Sequence, residues 1–145
     1  MSSQRRIYSR ENEWRHKLGY SVMGLMLFET LTGLSIYFLP FSIPNQVQVL
    51  LHTGIGLIFT LPVLAYMIRH WIVYRPTAMS HYKLSGYVLM ISILALSVTG
   101  IVLSWQAVFQ TKISRAWDIV HTATTFTLIA FAIPHIVLIF IRDRK

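Results

Sequence analysis

The stretch Trp117–Ile141, WDIVHTATTFTLIAFAIPHIVLIFI, decides the fold. Asp118 is its only acidic or basic residue apart from histidine. At ~1.5 Å of rise per residue, a helix of this length exceeds the ~30 Å hydrocarbon core of a bilayer. Its apolar residues form a block instead of alternating with polar ones. That excludes a half-buried strand and points to a helix facing lipid.

Working outward, three further blocks of the same kind are found: Leu18–Leu39, ending at Pro40; Val47–Ile68, closing at Arg69; and Leu84–Phe109. Short connections join them, Phe41–Gln46, His70–Lys83 and Gln110–Ala116. Sequential spans are therefore expected to be antiparallel neighbours. The fold expected is an all-α, integral membrane four-helix bundle, with residues 1–145 forming a single four-span domain. The apolar run after the basic segment Met1–Lys17 is longer than the ~7–15 residues of a signal peptide, so it reads as a retained span. No internal repeat in the sequence is strong enough to carry an argument.

Composition agrees. Of the 145 residues, 54% are hydrophobic and only 12% charged, and mean hydropathy is +0.56. A soluble chain this small could not hide so much apolar surface. There are no cysteines. Disulfides, iron–sulfur ligation and covalent c-type haem attachment are thereby excluded for this chain.

The net charge of +8 sorts by side. Arg5, Arg6, Arg10, Arg15, Lys17, Arg69, Arg75, Lys83, Arg142, Arg144 and Lys145 fall on one side, against Lys112 and Arg115 on the other. The positive-inside rule then places both termini in the cytoplasm. The charge reports topology in a cytoplasmic (inner) membrane and contact with anionic lipid, not nucleic-acid binding. Trp14, Trp71, Trp105 and Trp117 fall near span ends, as an interfacial aromatic belt does.

Histidine within hydrocarbon is costly unless something uses it. His52 lies near the start of the second span, and His121 and His135 lie in the fourth. The second and fourth spans run in the same direction, so His52 and His121 sit at similar depth. This suits a haem iron held by one imidazole from each helix. His135 follows His121 after ~21 Å of rise and only ~40° of rotation, so one helix face presents two imidazoles at two depths. Two haems stacked across a bilayer need this spacing. His16 and His70 are both candidates to complete the second site. The competing explanation makes the histidines structural hydrogen-bond donors. Gly19, Gly54, Gly56 and Ala123 lie close to these histidines and would admit a flat porphyrin, or simply close helix packing.

These residues carry a resemblance. EWRHKLGYSVMGLMLFETLTGLSIYFLPF (13–41), LHTGIGLIF (51–59) and DIVHTATTFTLIAFAIPH (118–135) together resemble the prokaryotic cytochrome b561-like group. That group includes the di-haem cytochrome b subunits of formate dehydrogenases and nickel–iron hydrogenases. The resemblance covers nearly the whole chain. It implies two non-covalent b-type haems, with His52 and His121 on the outer iron and His16, in preference to His70, with His135 on the inner iron. It also implies quinone (menaquinone or ubiquinone) as substrate, and a periplasmic-side redox subunit carrying iron–sulfur clusters or c-type haems. Where the family often opens its third span with asparagine and a glutamine–lysine pair, this chain has SHYKLSGY (80–87), keeping Lys83.

Quinone chemistry needs an apolar slot, polar groups for two carbonyls and a proton route. Tyr74, His81, Tyr82 and Lys83 are the candidates, against a solvated loop whose Lys83 contacts lipid phosphate. Arg69 and Arg75 are expected to pair with haem propionates or lipid headgroups. Glu29 is the one acid near the middle of a span: either a proton relay or a group tuning the outer haem, or a neutral acid hydrogen-bonded to a serine, threonine or backbone carbonyl of a neighbouring span. Asp118 is expected to cap the fourth span.

The function expected is electron transfer across the membrane between the quinone pool and the partner. The alternatives are a stand-alone superoxide:quinone oxidoreductase of the same fold, a non-redox scaffold or assembly protein, and a small transporter.

Overall fold

The computed structural model describes residues 17–143, and side chains as far as 141. Among the described residues there are four α-helices and no strand: α1 (Lys17–Phe38), α2 (Ile43–Tyr74), α3 (His81–Val108) and α4 (Arg115–Asp143). Each is long and apolar enough to cross a membrane.

The second helix is longer at both ends than its apolar block. It starts at Ile43 because Ser42 is an extended N-cap whose Oγ accepts from the Asn45 N–H at 3.3 Å. Pro44 falls in the first turn, where a missing N–H costs nothing. It continues past Arg69 to Tyr74, and the Arg75 N–H still donates to the Trp71 carbonyl at 2.7 Å before Pro76 stops it. His70 is therefore helical, not part of the connection. Ser80 caps α3 in the same way, accepting from the Lys83 N–H at 3.3 Å. After α3 the chain turns at Gln110, whose φ of 52° is left-handed.

The chain divides between Pro76 and Thr77 into two compact units. The first is the α1–α2 hairpin, where Ser35 Oγ donates to Gln48 Oε1 at 2.8 Å. Its turn is held by the buried Asn45, whose Nδ2 donates to the carbonyls of Leu39 (3.1 Å) and Pro40 (3.3 Å). The second is the α3–α4 hairpin. There Gln106 closes the turn by accepting from the Ser114 N–H at 3.0 Å.

Among the described residues only Val22, Val63, Met67 and Leu128 are buried hydrophobic side chains. Leu50, Ile58 and Leu61 are each over 70% exposed. A water-soluble protein would not present that surface, whereas lipid makes it the favoured one. Hydroxyls on these helices satisfy themselves by donating one turn back, as Thr30 does to Met26, Thr60 to Gly56 and Thr127 to Ala123. Trp71, Trp105 and Trp117 lie within a turn of helix ends and are exposed, as an interfacial belt requires.

Candidate functional site

In the α3–α4 hairpin, His121 and His135 both face α3. Thr99 Oγ1 lies 2.7 Å from His121 Nδ1, and Ser85 Oγ lies 2.8 Å from His135 Nδ1. The 14-position step from His121 to His135 matches the 14-position step from Ser85 to Thr99, as an antiparallel helix pair in register requires. A glycine follows each hydroxyl, and a Cβ there would come into ordinary van der Waals contact with the ring. A Cβ on Gly100 would lie 3.5 Å from His121 Cε1, and one on Gly86 3.4 Å from His135 Cε1.

The α1–α2 hairpin repeats the arrangement once. Thr32 Oγ1 lies 3.0 Å from His52 Nδ1, and a Cβ on Gly33 would come within 3.2 Å of His52 Cε1. Here a carboxylate joins in, with Glu29 Oε2 2.9 Å from the same Nδ1. Among the described residues, the partner of Glu29 is thus His52, and not a serine, a threonine or a backbone carbonyl.

Thr99 Oγ1 also lies 2.8 Å from the Ala95 carbonyl, Thr32 Oγ1 2.8 Å from the Phe28 carbonyl, and Ser85 Oγ 2.9 Å from the Tyr82 carbonyl. A hydroxyl has one proton, and a carbonyl can only accept. When that proton goes to the carbonyl, the hydroxyl oxygen accepts from Nδ1–H and the ring's lone pair is on Nε2. Metal-binding histidines adopt this state, one ring nitrogen anchored by an acceptor and the other donating to the metal. The three side chains are half-buried, out of bulk water but not sealed in. Among the described residues no three His, Asp or Glu side chains converge on one point. The donor set is of imidazoles presented singly, as bis-histidine haem ligation uses them.

The hydroxyl–glycine pairs escaped the sequence reading, although a signal was there. With α1 advanced by 67 positions, Gly19, Tyr20, Met23, Leu27, Thr32 and Gly33 fall on Gly86, Tyr87, Met90, Leu94, Thr99 and Gly100. His52–Thr53 likewise matches His121–Thr122. The two hairpins thus share a threonine–glycine pair facing a histidine–threonine pair, with the offset changing from 67 to 69 between their helices. At the second level the first hairpin has Leu18 where the other has Ser85, and Tyr66 where it has His135. Of the glycines noted beside His52, Gly56 touches this machinery: a Cβ on it would lie 3.2 Å from Glu29 Oε2, whereas one on Gly54 would meet nothing within 4 Å.

The remaining candidates are placed as follows. His16 lies outside the described residues. His70 is half-buried between rings of its own helix, 5.5 Å from Tyr66 and 4.5 Å from Tyr74 by ring centroids. Tyr74 closes α2 in the first unit, while His81, Tyr82 and Lys83 open α3 in the second. Lys83 Nζ donates to the Thr77 carbonyl at 2.6 Å, tying down the segment before α3. Arg75 lies over the Trp71 ring, 5.2 Å from its centroid. Asp118 sits inside the first turn of α4, where its charge complements the helix dipole, instead of at the cap position.

Compared with known proteins, the chain matches no family model, no curated protein and no solved structure.

Proposed function

We propose that this chain is a di-haem cytochrome b membrane subunit that passes electrons between a quinone pool and a redox partner on the periplasmic side. The observation that carries the proposal is the set of three intramembrane histidines, each with Nδ1 within 3.0 Å of a hydroxyl on the neighbouring helix of its hairpin, the kind of anchoring that metal-binding histidines have.

His52 and His121 are the ligands proposed for the outer iron, and His135 for the inner one. His16 is proposed as the partner of His135, on the strength of the b561-like opening of the first span. Two b-type haems, when bound, supply one-electron carriers with no open coordination position. The chain's own share is to fix ring orientation, exclude water from the ligand bonds and hold the Nδ1 protons in place. Both termini are placed in the cytoplasm of an inner-membrane protein, with Tyr74, His81, Tyr82 and Lys83 toward the quinone-reactive side. Having no cysteine, the chain requires any iron–sulfur or c-type relay to come from the partner.

Single substitutions test the assignment. H52A and H121A are each expected to leave one haem per chain, with the same spectrum in both variants. H135A is expected to leave the other haem. Retention of both haems by any of the three would overturn the ligand set.

A further inference from the structure

His52 meets a carboxylate as well as a hydroxyl: Glu29 Oε2 lies 2.9 Å from the same Nδ1 that Thr32 Oγ1 approaches at 3.0 Å. The Glu29 side chain is only 15% exposed, and its Oε1 is buried with no hydrogen-bond partner among the described residues. The imidazole N–H is thus the donor this carboxylate is aimed at. Gly56 sets the approach from α2, because a Cβ there would stand 3.2 Å from Oε2.

We infer that Glu29 is a positioning residue that strengthens His52 as a donor, so that the haem held by His52 has its reduction potential lowered by this carboxylate. The inference rests on the di-haem function proposed above. An N–H donated to a carboxylate is a stronger, charge-assisted bond than one donated to a hydroxyl, and it raises the basicity of the opposite ring nitrogen. A more basic ligand favours ferric over ferrous iron. A carboxylate in a medium of low dielectric acts with the same sign, stabilising the more positive oxidation state. Hydrogen bonding around an axial ligand is one of the protein's levers on haem potential. Thr32, a neutral acceptor, orients the same ring without adding charge.

The test is a potentiometric titration of the purified chain, wild type beside E29Q and G56A, with H52A identifying which midpoint belongs to which haem. E29Q is expected to keep both haems and to raise the His52 midpoint by about tenfold in the equilibrium constant for reduction, about 59 mV for one electron. The other midpoint stays. G56A keeps every ligand, hydroxyl and carboxylate but presses a methyl against Oε2. It is expected to raise the same midpoint by less, and it decides the question if E29Q loses a haem. Both midpoints unchanged, or both moved equally, would overturn the inference while leaving the di-haem function standing. A wild-type chain without two haems would instead overturn that function.

Discussion

Thr99→Val is the sharpest probe of the hydroxyl clamps. Thr99 is only 2% exposed, its Oγ1 lies 2.7 Å from His121 Nδ1, and valine is nearly isosteric. The Ala95 carbonyl that loses the hydroxyl proton keeps its ordinary helical N–H partner. The cost therefore falls on the imidazole N–H, which is left without its acceptor. An unsatisfied polar group of this kind costs about 1–3 kcal/mol. Loss of a partner behind a metal-bound histidine typically weakens metal affinity by roughly tenfold to a hundredfold, the same range. T99V should therefore lose one haem selectively, with its dissociation constant raised by roughly tenfold or more and the other haem unaffected. The assay is transfer of haem to excess apomyoglobin, followed spectrally at each haem's own band. Thr30→Val is the control, because Thr30 donates one turn back to Met26 in the same manner but holds no histidine. Equal haem retention in T99V and T30V would refute the clamp.

Other outcomes follow from the same geometry. Gly33→Ala should lower occupancy of the His52 haem, because its Cβ would crowd Cε1 at 3.2 Å, whereas Gly100→Ala at 3.5 Å should be tolerated; haem-to-protein ratios of the two variants check this. H16A should lose the inner haem and H70A should keep it, as their difference spectra will show, and the reverse result would move the inner ligand to α2. Asn45→Ala should destabilise the first hairpin by about 1–2 kcal/mol, read as a lower midpoint of thermal unfolding by tryptophan fluorescence, because two turn carbonyls lose the Nδ2 donor.

The four helices were legible in the sequence because a bilayer imposes a length and a composition that few other structures share. Their ends were less so. The apolar block begins at Val47, yet the helix starts at Ile43, because a proline in a first turn is harmless once Ser42 caps the helix. Arg69 looked like a stop because charge usually marks the membrane surface, but backbone hydrogen bonding carries α2 on to Tyr74. The common face of His121 and His135 was legible from spacing alone, and Ser85 and Thr99 on one neighbouring helix bear it out. The clamps themselves were hidden. Serine, threonine and glycine are ordinary in membrane helices, and Thr32–Gly33, Ser85–Gly86 and Thr99–Gly100 acquire meaning only when the partner helix sets a histidine opposite each. Glu29 was singled out as the one acid near the middle of a span, but periodicity could not say that His52 was its partner.

The central claim is that the clamped imidazoles are haem ligands. A reduced-minus-oxidised absorption spectrum of the purified chain, with haem counted against protein, addresses it without any substitution. Two low-spin b-type haems per chain is the expected result, and a colourless protein, or one haem per chain, would contradict it.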